Sequence, residues 1–445
     1  MATPASKFIF PILLILAVTT VSFIPAFTNG WTSWDDDVYV TDNPAVQNIS
    51  AENLKLVFTT AVNGSYLPLT MISYMIDYQI GGFDPRVYHS TNILLHLINS
   101  CLLFWLMYQL SGSIVASLVA GLLFGIHPMR VESVAWISGR KDVLSMMFFL
   151  LSSIAYLRYV RVGRQSLLSV SFILFFFALL SKIIVLTFPL ILLLFDMVKK
   201  RNVTAGILWE KVPFALIATA FSVLGLIGQQ SVHAVKRSNS VIENGIVSLH
   251  GIVFYIEKLF LPINLSNVYP YPSPLPLQFF VYTIIALIAI LVVWKYREQR
   301  IIAFGMAFYI VSLLPVLQFV RFSQIFAADR FTYFAYIGLF YIAGMYSAKG
   351  WELGKKRIII PIMVIVLVAC SYLTWERCEV WKDSNTLWKD MLSKYPNALS
   401  ENSFQNRHDL FPVQPVQQSR NKGKGMWRAS GNEQIDRMIV DKLTV

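Results

Sequence analysis

The sequence predicts an all-α polytopic membrane protein, and three observations carry that reading. Of 445 residues, 56% are hydrophobic and only 14% are charged, which is more apolar material than a soluble core can use. The apolar residues fall in repeated runs of about 20, the length a helix needs to cross a hydrocarbon layer. The basic residues, which leave a net charge of +12, gather in short loops between those runs, where they act as topology determinants. Nucleic-acid binding, the other common use of a basic chain, is therefore not expected. Cys101, Cys370 and Cys378 offer neither a disulfide framework nor a metal-binding spacing.

The first run, Phe8 to Phe27 after Lys7, lacks the tight apolar stretch and small-residue cleavage site of a signal peptide, so it reads as a signal-anchor helix. Further spans are expected near 88–110, 113–127, 143–160, 166–181, 183–198, 212–229, 246–262, 276–294, 301–320, 331–348 and 358–375. These twelve candidates cannot all cross. Starting inside, the clusters Arg158/Arg161/Arg164 and Lys199/Lys200/Arg201 come out cytoplasmic. Lys295/Arg297/Arg300 and Lys355/Lys356/Arg357 do so only if one intervening span fails to cross. The segment 246–262 carries His250, Glu257 and Lys258 and is the weakest. It is expected as an interfacial or re-entrant helix on the outer face, leaving about eleven transmembrane helices.

That arrangement gives the outer face the loop 28–88, the turn 128–142, the turn at Lys182, the stretch 230–275, the loop 321–330 and everything after Trp375. Unusual residues concentrate there. The loop 28–88 has seven acids against Lys55 and Arg86, and Asp35, Asp36 and Asp37 are consecutive within WTSWDDDVYVTDNP. An aspartate run is most often a solvated turn; here it faces a second charged segment, HPMRVESVAWISGRKD, and Asp329–Arg330. Acids and bases converging on one face of a bundle form a candidate site.

His89, Asn92, His96 and Asn99 share one helical face and should line the bundle interior, either as interhelical hydrogen bonds or as part of a site. They lack the further ligands a metal would need. Lys182 is as readily a snorkelling side chain as a ligand for an anionic group. Asn267 to Pro276, NVYPYPSPLP, reads as a rigid extended loop with aromatic anchors. Asn48, Asn63 and Asn264 open N-x-S triplets on the expected outer side, matches too short to carry weight.

DDDVYVTDNP, YHSTNILLH, HPMRVESVAWISGRKDVLS, SKIIVLTFPLILLLFD and ADRFTYFAYIGL, in that order, resemble the membrane part of the transmembrane and tetratricopeptide-repeat-containing O-mannosyltransferases and their prokaryotic relatives. The resemblance runs from about Phe23 to about Pro396. It implies a GT-C fold over 1–378 and an enzyme that takes a sugar, mannose in this family, from a polyprenyl- or dolichyl-phosphate carrier to a hydroxyl acceptor such as protein Ser/Thr. It implies a multi-pass protein of a bacterial inner membrane or the endoplasmic reticulum, working on the periplasmic or luminal side. The family's acidic pair aligns best with Asp36 and Asp37, with Asp36 as base and Asp35 as an extra surface charge, although a register shift of one exchanges their roles. Arg330, a bidentate partner for phosphate, is expected to hold the leaving group beside Asp329, with Arg140 and Lys182 as helpers. His127, Arg130, Glu132, Asp142, His89 and His96 are expected to orient these groups or meet the sugar. No cofactor is assigned; a carboxylate pair could serve as base or bind a divalent cation.

Two departures stand out. Residues 379–402 look like the start of a tetratricopeptide-like repeat, but 403–445 turns polar and irregular, as an expected disordered tail and an altered or truncated C-terminus. Ala335 and Tyr336 stand where the family commonly has a Pro-Ser pair. The alternatives are a secondary transporter, whose inverted repeats and midplane charges are not visible, and a catalytically inactive scaffold.

Overall fold

Each of the twelve apolar runs is helical: Ser6–Ser22, Pro85–Ser111, Ile114–Ile126, Arg140–Val162, Gln165–Ser181, Phe188–Val198, Val212–Ser231, Val241–Phe260, Leu277–Lys295, Arg300–Leu313, Thr332–Glu352 and Lys356–Val380. The structure is a computed structural model that describes residues 6–202, 204–231, 240–295, 298–319, 321 and 325–396; the expected tail 403–445 lies outside them. Residues up to Pro396 form one compact unit.

Five described helices are long and apolar enough to cross a membrane: Pro85–Ser111, Ile137–Val162, Ala205–Gly228, Leu277–Lys295 and Lys356–Val380. A sixth span exists if Ile114–Ile126 and Pro128–Ala135, bent by 61° about His127, count as one. Ser6–Ser22, Gln165–Ser181, Ile183–Val198 and Arg300–Val316 are shorter apolar helices. Most side chains along the outer helices Leu277–Lys295 and Lys356–Val380 face outward, and large aliphatics such as Leu291 and Ile365 are 68% exposed. Such surfaces are stable only against lipid. The chain is an integral, polytopic, all-α membrane protein.

Val241–Phe260 behaves differently from the spans around it. Near its start Asn244 Nδ2 donates to Phe319 O at 3.2 Å, and near its end Leu259 O lies 3.0 Å from His127 Nε2. Both partners belong to loops at the same end of the bundle, so the helix lies across that end.

The same end is closed by short elements that hydropathy does not announce. Ala51–Thr59 is capped by Ser50 Oγ on Asn53 N, and Pro68–Gly81 starts on a proline already fixed in helical φ. With Tyr39, Val46, Tyr88 and Ile137 they build a second small core beneath the aspartate loop. The expected rigid loop 267–276 supplies Tyr269–Pro270, which pairs antiparallel with Ile325–Ala327. Residues 127–140 are buried throughout, folded as two tight turns around the helix Val131–Ala135. Gly139 is required there: a Cβ would meet Ser133 O at 2.6 Å and Glu132 O at 2.9 Å.

At the other end Asp196 takes Tyr156 Oη at 2.7 Å, Arg201 at 3.0 Å and Lys211 at 2.7 Å, while Glu210 takes Tyr159 Oη at 2.8 Å and Arg201 at 2.9 Å. Every charge in this cluster is matched, as burial requires.

Candidate functional site

The three adjacent aspartates diverge. Asp36 has no exposed surface. Its Oδ2 accepts from Thr32 N at 3.0 Å and Thr32 Oγ1 at 2.8 Å; its Oδ1 accepts from Ser138 N at 2.9 Å and Ser138 Oγ at 2.6 Å. Burial pushes its pKa up to about 6 against the opposing pull of those four donors. The residue expected to carry the base thus ties the first loop to the 127–140 turn, with both oxygens taken. Asp37 is half-buried, its Oδ1 has no hydrogen-bond partner among the described residues, and burial together with the charges of Asp35 and Asp42 raises its pKa.

Asp35 points to the third side. Asn63 Nδ2 donates to its Oδ1 at 3.3 Å, and its charge reaches both Lys141 and Arg330. Of the triplet, it is the one whose charge acts on both of these cations.

The cations divide in the same way. Arg140 is fully buried; Nη2 meets Asp77 at 2.6 Å and Tyr88 O at 2.9 Å, Nη1 reaches Ser73 Oγ at 3.2 Å, and Nε donates to Asn92 Oδ1. With four of its five N–H groups engaged, it staples Pro68–Gly81, Pro85–Ser111 and Arg140–Val162 together. Lys182 Nζ pairs with Asp142 at 2.5 Å, and burial lowers its pKa to about 8. Arg330 is gripped twice by Glu132, through Nη1 on Oε1 and through its backbone N on Oε2 at 2.7 Å, and its side chain keeps 15% exposure.

Lys141, absent from the expected set, is the exception. Its Nζ sits 4.4 Å from the Tyr39 ring centroid and 4.8 Å from that of Trp136. It makes no ion pair among the described residues, although the charges of Asp35, Asp36 and Asp142 act on it. The Arg330 guanidinium lies 5.5 Å from the same Trp136 ring. Asp35, Lys141, Arg330 and the Lys182–Asp142 pair therefore surround one region, with Glu132 orienting Arg330.

The remaining expected residues lie outside it. His127 Nδ1 accepts from Met129 N at 3.2 Å, so Nε2 carries the proton and donates to Leu259 O. Arg130 donates to Thr332 O and Oγ1 within a cage of Phe124, Tyr333 and Tyr336, each ring centroid 5.1–5.5 Å from its Cζ. His96 is engaged by Tyr333 Oη at 2.7 Å and Gly125 O at 2.9 Å, His89 lies 3.3 Å from Gly30 O, and Asn99 donates to Val143 O at 2.8 Å. The polar stripe is an interhelical hydrogen-bond layer that supports the turn. Asp329 accepts from Tyr269 Oη at 2.7 Å, and burial plus the Glu132 charge push its pKa up to about 7. No group of three or more His, Cys, Asp or Glu side chains able to hold a metal ion occurs among the described residues.

Known proteins give the chemistry to compare with this geometry. The chain is similar to protein O-mannosyltransferases. It is 44% identical over 105 residues to the protein O-mannosyl-transferase tmtc2 of Xenopus laevis, 24% of this chain and 13% of that one. It is 39% identical over 115 residues to the TMTC4 enzyme of Homo sapiens, covering 23% and 16% of the two chains, and 29% identical over 157 residues to human TMTC3, covering 33% and 17%. The matched stretches thus span less than a fifth of the length of these relatives. No family model matches the chain. Among solved structures, ArnT from Cupriavidus metallidurans bound to undecaprenyl phosphate superposes with a TM-score of 0.41 at 11% identity, covering 89% of this chain and 78% of that one.

Proposed function

We propose that the protein is an integral membrane glycosyltransferase of GT-C type that moves a sugar, mannose in the first instance, from a polyprenyl-phosphate carrier to a hydroxyl acceptor such as a Ser or Thr side chain. The observation that carries this reading is geometric: at one end of the bundle Lys141 and Arg330 lie against the same Trp136 ring, Glu132 holds Arg330, Lys141 makes no ion pair among the described residues, and the charge of Asp35 acts on both cations. The named activity of the O-mannosyltransferase relatives supports it.

The donor is a phosphodiester of the sugar. When the bond between the anomeric carbon and the phosphate oxygen breaks, the electron pair goes to phosphate, which gains a second negative charge. Cations are needed where that charge develops. Lys141 meets it as a whole charge, and Arg330, aimed by Glu132, offers its remaining N–H groups. The acceptor hydroxyl loses its proton to Asp35 as its oxygen bonds the anomeric carbon from the opposite face, which inverts that centre. Asp36 fixes the loop that carries Asp35, and the Lys182–Asp142 pair borders the phosphate side. On this reading the reaction occurs on the periplasmic or luminal side, the face opposite the basic loops.

Transfer of radiolabelled mannose from polyprenyl-phosphate mannose to a Ser/Thr peptide by purified protein tests this. Asp35→Asn should lower transfer by about 100-fold or more, the scale of a lost general base, at an unchanged melting temperature. Asp36→Asn should lower both together. Full activity in Asp35→Asn would remove the proposed base.

A further inference from the structure

Three side chains beside this site keep buried N–H groups with no hydrogen-bond partner among the described residues. Trp136 and Trp381 are 1% and 0% exposed and stack with ring centroids 5.9 Å apart at 28°. Neither indole N–H has a hydrogen-bond partner among the described residues. Arg377, one turn before Trp381 and 6% exposed, uses Nη1 on Asp390 at 2.8 Å but leaves Nε and Nη2 unpartnered. Nε and Nη2 form the side-on edge of the guanidinium, the fork that grips two oxygens at once. An orphaned buried N–H costs about 1–3 kcal/mol, and several together mark a place where a ligand completes the bonding.

The chemistry of that ligand can be read from what is already present. Arg377 is matched in charge by Asp390, and Asp329 lies close enough for its charge to act on it. A further anion would lie beside the Asp390 carboxylate that already matches Arg377, so the ligand is neutral. It must bring oxygen acceptors for the indole and guanidinium N–H groups and lie against aromatic faces. A polyhydroxylated sugar ring has these properties. Trp136 is also the ring over which Lys141 and Arg330 sit, so the orphaned donors border the proposed phosphate region.

Resting on the glycosyltransferase reading, we propose that Trp136, Trp381 and Arg377 form the subsite that grips the hydroxyls of the transferred sugar, with Asp329 as the facing acceptor. Part of donor recognition would then come from the C-terminal end of the helix Lys356–Val380, which positions Arg377 and Trp381.

The test compares binding of bare polyprenyl phosphate with that of polyprenyl-phosphate mannose and polyprenyl-phosphate glucose, using the full chain in detergent. In the wild type one sugar-bearing lipid should bind more tightly than the bare lipid. Trp381→Phe, which keeps the ring and removes only the N–H, should reduce that increment roughly three- to tenfold, the range of one hydrogen bond. Arg377→Lys, which keeps the charge and removes the fork, should do the same, and both should bind the bare lipid like wild type. The subsite is overturned if neither sugar adds to binding, or if the variants change all three lipids equally or none. If even the bare lipid fails to bind, the glycosyltransferase reading falls and the subsite with it.

Discussion

At the residue scale, adjacent side chains take different directions, and on the proposed mechanism the roles expected of Asp36 and Arg140 pass to their neighbours Asp35 and Lys141. Arg140 and Lys141 both look like phosphate ligands, yet successive residues of a helix point about 100° apart, and only one can face the first loop. Arg140 turns inward to Asp77 and Lys141 outward to Tyr39 and Trp136. Asp36 and Asp35 divide the same way, because the four donors from Thr32 and Ser138 draw Asp36 into the core. The charged blocks themselves were legible, since carboxylates and arginines stand out in an apolar chain. Their phase was not, because bonds between segments about a hundred residues apart set it. Asp329 gives a test of protonation at this scale. With its pKa raised to about 7 by burial first and Glu132 second, the folded state favours the neutral acid. Stability tied to that proton is fully present below the ordinary carboxylate pKa of about 4 and is lost as the pH rises towards 7, a swing of about 2–4 kcal/mol. Asp329→Asn, a permanent stand-in for the neutral acid, should lack this loss. Melting in detergent from pH 4.5 to 8 should show wild type falling relative to the variant, and parallel curves would contradict it.

At the scale of elements, the turn 127–140 is the part most worth perturbing. It presents Glu132 to Arg330, Ser138 to Asp36, and Trp136 to Lys141. Its charged residues stand out in the sequence, but its fold depends on a close backbone approach that no pattern displays. Gly139→Ala places a methyl 2.6 Å from Ser133 O, and backbone cannot yield as a flexible side chain does. A loss of about 1–3 kcal/mol is expected, as for other overpacked sites. Binding of polyprenyl phosphate should weaken with it, because Glu132 and Trp136 shift. Wild-type melting and wild-type lipid binding in this variant would show that the turn has room. The helices Ala51–Thr59 and Pro68–Gly81 escaped the sequence reading for a related reason: both are too short to span a bilayer, and they pack on a small core of their own beside the main bundle.

For the whole molecule, composition and loop charge were enough to reach the class, because a bilayer imposes length and apolarity on every helix that crosses it. The helix Val241–Phe260 shows what hydropathy alone would have missed: a 20-residue apolar-faced helix that begins and ends at the same end of the bundle. A compartment reporter inserted after Gly163 and one inserted after Pro262 should therefore read opposite sides of the membrane. The same side for both would reverse the orientation assigned to that helix.

The matched pairs around the aspartate loop have a consequence for the electrostatics of the protein. Arg140, Lys182 and Arg330 each carry a carboxylate partner, so the region around Lys141 presents little uncompensated charge despite the chain's net +12. Part of the surplus comes from short basic loops such as Arg158/Arg161/Arg164 and Lys355/Lys356/Arg357. On the proposed function, a lipid phosphate would meet a nearly charge-balanced surface around one ammonium, so discrimination would fall to short-range fit and not to a broad attractive field.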